Sequence, residues 1–321
     1  MDRLSPPPPV ATPYRVSTIT AVGSVCSALD IRLVFRHVRV DGGADVRGSD
    51  RVMCARLGGE TRGNADCDAG ASAKKSRCKD SGKKPPPPSC FGNQVTLVMS
   101  VGGTRVNLKA FSNGRVQLTG VKAVALGLRA IEVLVAELKD ICLASPDALA
   151  VDDASALQAD DYRVCLINSD FDLGFQVKRD LLHGCLREMY PDTQVSYEPC
   201  IYQGLKIKFM WNNDPASPST PRGQCTCARA CETGQPRTCI GRGDGHARGQ
   251  CRKVTVAVFQ SGKVIITGAH TTEQIDDAYR FLVSDVVAGH ADRFRRPATL
   301  PLVSKGHLRN NAEGGSSVLA A

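Results

Sequence analysis

The sequence predicts an α+β protein, two copies of one repeat joined into an antiparallel sheet with helices on one face. Three observations predict it. An internal repeat runs at a fixed offset, each copy has the order strand, tight turn, strand, helix, and two cysteine-bearing stretches without periodicity interrupt the copies.

The repeat comes first. Residues 105–122 read RVNLKAFSNGRVQLTGVK and residues 253–270 read KVTVAVFQSGKVIITGAH. Without a gap, six of these eighteen positions are identical, including Phe111/Phe259, Gly114/Gly262, Thr119/Thr267 and Gly120/Gly268. The same offset of 148 pairs Tyr14-Arg15-Val16 with Tyr162-Arg163-Val164.

Each copy then follows one pattern. Val106, Leu108 and Ala110 alternate with Arg105, Asn107, Lys109 and Phe111, the period of two that marks a half-buried strand. Ser112-Asn113-Gly114 supplies a turn that needs positive φ. Val116 and Leu118 resume the alternation, and after Gly120 the residues Val124, Leu128, Ile131, Val135 and Leu138 recur at helical spacing. In the second copy the helical stripe is Ile275, Ala278, Leu282 and Val286.

A helix covers the aliphatic face of such a sheet and leaves the other open. The open side then presents Arg105, Lys109, Phe111, Arg115, Gln117 and Thr119 in one copy. In the other it presents Thr255, Phe259, Lys263, Ile265 and Thr267. Cations, hydroxyls and a large aromatic on one uncovered face mark an interface. The net charge of +9, from 41 basic and 32 acidic residues, favours a polyanionic partner.

Four stretches fall outside this pattern. Residues 1–13 are proline-rich with no apolar stretch of a secretory signal, 41–90 and 212–252 read as insertions, and 306–321 reads as a flexible tail. The copies themselves span 14–145 and 160–292. No run of apolar residues is long enough for a membrane helix. Neither a Walker loop, a nucleophile elbow nor a metalloprotease motif is present, so an enzyme is not expected.

The motifs carry a resemblance. Phe259-Gln260-Ser261-Gly262-Lys263 with Thr267-Gly268-Ala269, and more loosely Phe111-Ser112-Asn113-Gly114-Arg115 with Thr119-Gly120-Val121, are similar to the signature closing each repeat of the TATA-binding protein family. Residues 196–205, SYEPCIYQGL, resemble that family's second stirrup, with Cys200 in place of an acidic residue while Glu198 is kept. The cysteine-bearing insertions look most like divergent members from large DNA viruses.

The resemblance implies a TBP-like saddle, a curved antiparallel sheet of two pseudo-symmetric repeats with helices on the convex face. Its concave face would bind double-stranded DNA in the minor groove and bend it. By position, the wedges would be Phe91 and Phe111 in one repeat, and Tyr202 and Phe259 in the other. Thr119 and Thr267 would lie at the pseudo-dyad, and Arg115, Lys263 and Lys208 near phosphates. Tyr14 and Tyr162 would stand where the family has groove-reading asparagines, with Val16 and Val164 two residues on. Lys109 and Gln117 would replace apolar residues of the face, and Ile265 would complete it. The implied role is a transcription initiation factor, monomeric on DNA. It would recruit a general transcription factor or RNA polymerase apparatus in the nucleus or a viral factory. Two other classes remain open: a saddle that binds protein, such as a virion component, and a domain appended to a repair enzyme.

Fourteen cysteines raise the question of metal. Cys225, Cys227, Cys231, Cys239 and Cys251 offer five thiolates, and Cys227-x3-Cys231 has knuckle spacing for a structural zinc. Cys54, Cys67, Cys78 and Cys90 contain no close pair, and Cys26, Cys142, Cys165 and Cys185 read as core residues. No other cofactor is expected.

Overall fold

The computed structural model describes residues 10–40, 50–63, 92–144, 151, 154–213, 223–225, 239–247 and 250–296. The chain opens with β1 (Arg15–Ser24) and α1 (Ile31–His37), followed by the hairpin β2 (Arg51–Leu57) and β3 (Glu60–Gly63). Next come β4 (Gln94–Val101), β5 (Thr104–Phe111), β6 (Arg115–Val121) and the long helix α2 (Val124–Ala144). The second half runs β7 (Asp160–Asp172), α3 (Arg179–Met189), β8 (Gln194–Ser196), β9 (Leu205–Trp211), β10 (Arg252–Val258) and β11 (Lys263–Ala269). It closes with α4 (Thr272–Arg280), a π-helical turn over Phe281–Val287, and α5 (Ala288–Phe294).

The described strands all join one antiparallel sheet in the order β3-β2-β4-β5-β6-β1-β7-β11-β10-β9-β8. The two long strands β1 and β7 pair at its centre, and each half spreads outward from them. The offset seen in the sequence reappears in hydrogen bonds. Val25 N–H donates to Gly114 O at 3.0 Å, and Leu173 N–H to Gly262 O at 2.9 Å. Leu29 N–H donates to Ser112 O at 2.8 Å, and Val177 N–H to Gln260 O at 2.9 Å. Both hairpin tips are thus stitched to the chain leaving the central strand. Glycine is required there: Gly114 has φ 69°, and a Cβ would lie 1.9 Å from Cys26 O.

The helices cover one face. Val106, Leu108, Ala110, Val116 and Leu118 are buried beneath them, as are Val254, Val256, Val264 and Ile266. Each of these valine, leucine and isoleucine side chains contributes about 1.5–3 kcal/mol when fully withdrawn from water. Ile275, Ala278, Leu282 and Val286 are fully buried, as the second helical stripe requires. In α2 the buried face is Ala130, Ile131, Leu134, Val135 and Leu138, whereas Val124 and Leu128 are 46% and 38% exposed. At its start the buried face runs through Gly127, packed against Tyr162, so the expected stripe holds only from Ile131 onward.

One part of the expected insertion at 41–90 is regular. Residues 51–63 form the β2–β3 hairpin turning at Gly58-Gly59, and β2 pairs with β4. A register shift between Val52 and Cys54 breaks the alternation and hides the strand from a period-two reading. Among the described residues, no helix is long and apolar enough to cross a membrane.

Candidate nucleic-acid interface

The open face is built by the residues that alternate with the core. On β5 and β6 these are Arg105, Asn107, Lys109, Phe111, Arg115, Gln117 and Thr119, and on β11 they are Lys263, Ile265 and Thr267. Arg115 and Lys263 are exposed, and Ile265 is 38% exposed, a β-branched apolar side chain left facing water.

The aromatics sit toward the two ends. In the second half Tyr202 and Phe259 meet edge to face, ring centroids 5.9 Å apart. Gly204 makes room for both, since a Cβ would fall 2.6 Å from Tyr202 and 3.2 Å from Phe259. Lys206 Nζ lies 5.0 Å over the Tyr202 ring. Tyr202 rides on an exposed turn in which its N–H and that of Ile201 both donate to Glu198 O. Cys200 is exposed on that turn. In the first half Phe111 lines an open hollow of about 370 Å³ together with Val22, Gln117 and Arg163. Phe91 lies outside the described residues.

Hydroxyl and amide groups occupy the centre. Gly120 N–H donates to Thr18 Oγ1 at 3.2 Å, and Thr267 Oγ1 donates to Asn168 Oδ1. Gly120 and Gly268, both at positive φ, let β6 and β11 bend beside the two threonines.

Tyr14, Val16, Tyr162 and Val164 do not reach this face; all four pack on the helix-covered core. Tyr14 O–H donates to Asp276 Oδ1 on α4 at 2.7 Å, and Tyr162 O–H donates to Val124 O on α2 at 3.0 Å. Burial and then Asp276 push the Tyr14 hydroxyl up to about 12, and burial raises Tyr162. The reason is a set of bulges in the pairing of the two central strands, two of which decide these positions. Ser17 is squeezed between Val16, opposite Ser169, and Thr18, opposite Asn168. Cys165 is squeezed between Val164, opposite Ala21, and Leu166, opposite Thr20. Each bulge flips the side chains just ahead of it to the other face. The open face therefore receives Thr18, Thr20, Leu166 and Asn168 instead, with Arg15 and Arg163 taking the places next to the tyrosines. The alternation of Thr18 and Thr20 with the buried Ile19 and Ala21 was the available signal.

Some of the cations are already engaged. Arg15 pairs with Asp170 at 2.8 Å and Lys263 with Asp172 at 3.1 Å. Lys208 Nζ donates to Gln194 Oε1 at 3.0 Å. The Gly174 amide, followed by Lys263, holds the Asp172 carboxyl below the usual carboxylate range.

Of the five expected zinc ligands, the structure gathers three. The sulfurs of Cys225, Cys239 and Cys251 all lie within 4.8 Å of one another. Cys227 and Cys231 lie outside the described residues, as do Cys67, Cys78 and Cys90. Cys142 and Cys185 are core residues, Cys54 is buried, and Cys26 and Cys165 are half-buried.

The family model described as "Transcription factor TFIID (or TATA-binding protein, TBP)" matches residues 246–287, from just ahead of β10 through β11, α4 and the π-helical turn. A curated relative, "TATA-box-binding protein-like" of Acanthamoeba polyphaga mimivirus, is 25% identical over 279 residues, 84% of this chain. The chain is thus similar to TBP over the first of these stretches and to a TBP-like protein over the second. It spans 63% of the length of that viral TBP-like relative. Among solved structures, Methanococcus jannaschii TBP overlays with a TM-score of 0.41 at 16% identity, covering 87% of this chain and 99% of that one. The stretch matched by the TBP model contains Phe259, Lys263, Ile265 and Thr267, four residues of the open face.

Proposed function

We propose that this chain is a non-enzymatic, TBP-like transcription initiation factor. Its two halves form a saddle that takes DNA by the minor groove, bends it at a promoter and recruits transcription machinery. The observation that carries the reading is the layout of the open face. Aromatic side chains flank a central floor of Thr18, Thr20, Thr119, Asn168 and Thr267, and cations surround it. The minor groove offers acceptors on its floor and phosphates on its rims, which such a face complements. Phe111, Tyr202 and Phe259 would wedge between base steps. The few kcal/mol lost per unstacked step would be offset by the wider contact a bent duplex makes. In this reading Arg115 and Lys208 would meet phosphates, and Lys109, Gln117 and Ile265 would line the groove. With one copy of the chain per site, the exposed turn at Glu198 and Cys200 is free for a general transcription factor or polymerase subunit. Such work takes place in a nucleus or a viral factory.

Competition tests this directly. A minor-groove-filling polyamide should displace the chain from an A·T-rich duplex, whereas major-groove base methylation should leave it bound. Displacement by the methylation alone, or no binding to duplex at moderate salt, overturns the reading. One observation favours a second reading, that the face grips a protein. Asp170 and Asp172 lie on it and already pair with Arg15 and Lys263, which lowers the charge offered to phosphates.

A further inference from the structure

The long segment between β9 and β10 leaves the sheet after Trp211 and returns at Arg252, and three of its cysteines converge at one point. We propose that Cys225, Cys239 and Cys251 hold a Zn2+ ion that pins this segment to the β9–β10 edge. Three features argue for it.

The first is geometric. A tetrahedral site with Zn–S bonds of about 2.3 Å has sulfur–sulfur edges of about 3.8 Å. Cys251 Sγ and Cys225 Sγ stand 3.8 Å apart. A disulfide would require about 2.05 Å. That edge has the spacing of two ligands around an ion, and the other two edges lie within 4.8 Å, close enough for a small closure onto one.

The second is the setting. Cys251 is 1% exposed, and Asn212 Nδ2–H points at its sulfur from 3.7 Å, as donors to a metal-bound thiolate do. The backbone brings the three together from separate directions. Gly223, two residues before Cys225, accepts from Met210 N–H at 2.9 Å and lies flat against the Phe209 ring. Gly241, two residues after Cys239, accepts from Lys253 N–H at 2.9 Å, and Cys251 O accepts from Gly243 N–H at 3.1 Å.

The third is what else could order the segment. Its large aliphatic residue among those described, Ile240, is 65% exposed, so burial does little. A metal supplies folding free energy where a core cannot. The trio leaves one tetrahedral position for a fourth ligand. His246 is not one of the clustered groups; its ring stands edge-on to Trp211 at 5.3 Å.

The test uses the full chain, purified anaerobically without added chelator. Metal analysis should give about one zinc per chain, the stoichiometry of a single tetrahedral site. Cys225→Ser and Cys251→Ser should lose it, and Cys142→Ser, at a buried cysteine of α2 far from the trio in sequence, should keep it. Because Cys251→Ser can also disturb packing, the chelated wild-type chain is titrated with Co2+ while its circular dichroism is followed. Intense tetrahedral d–d bands saturating at one equivalent support the site, and the thiolate charge-transfer intensity counts the sulfurs. A folded, reduced chain with no zinc and no tetrahedral Co2+ spectrum overturns the proposal. So does a Cys225–Cys251 disulfide in the anaerobic preparation.

Discussion

Replacing Tyr14 with phenylalanine separates two placements of this residue, because only the hydroxyl is removed and the ring contact with Tyr279, 5.7 Å between centroids, remains. In the structure that hydroxyl donates to Asp276 across the helix-covered side at 2.7 Å. A hydrogen bond to a charged acceptor contributes about 1.5–3 kcal/mol when desolvated. Tyr14 and Asp276 are only half-buried and water can replace the lost donor, so the expected cost is about 1 kcal/mol, or a Tm lower by about 2–4 °C for a chain of this size. DNA affinity should not change, since the side chain faces away from the groove. The alkaline limb supplies a second reading. The folded hydroxyl titrates at about 12 against an ordinary value of 10.0. Its contribution is therefore complete below the unfolded value and is lost as pH rises toward 12. Tyr14→Phe should flatten that part of the stability–pH curve. Denaturation and fluorescence anisotropy on one preparation measure both quantities. Unchanged stability with a several-fold loss of DNA affinity would refute the bulge at Ser17 and return Tyr14 to the open face.

Gly262→Ala places a methyl group 2.2 Å from Phe175 O at φ 90°, and should cost about 1–3 kcal/mol in urea denaturation. Asp172→Asn frees Lys263, and the log–log salt slope of DNA binding should steepen by about one if that lysine then neutralises a phosphate. The same substitution has an acid signature. The Asp172 carboxyl is held low in the folded chain, so its stabilisation is present above the unfolded carboxylate range and is lost as pH falls through the lowered value. Asp172→Asn should remove that loss from an acid titration of stability.

The halves, their strands and the open face were legible because period-two alternation and obligatory turn glycines are local signals. Val106 to Ala110 and Val264 to Ile266 point where the pattern says. The central register was not legible. Ser17 and Cys165 are ordinary strand residues in sequence, and only pairing with the opposite strand makes each of them surplus. Motif matching without those bulges set Tyr14 and Tyr162 on the wrong face and passed over Thr18, Thr20, Leu166 and Asn168. The β2–β3 hairpin escaped for the same kind of reason, a shift at Val52–Cys54 inside a glycine- and arginine-rich stretch. The cysteine trio is a tertiary event: Cys225 and Cys251 are 26 residues apart, and no spacing rule selects them over Cys227 and Cys231.

Bending of a short end-labelled A·T-rich duplex, followed by fluorescence energy transfer, tests the central claim most directly. The wild-type chain should shorten the end-to-end distance on binding. Phe111→Ala/Phe259→Ala should keep its fold and the salt dependence of binding, yet lose the bend, because cations still meet phosphates while the wedges are gone. A straight duplex in the wild-type complex, or a bend the double variant retains, would contradict a wedge-bearing minor-groove face.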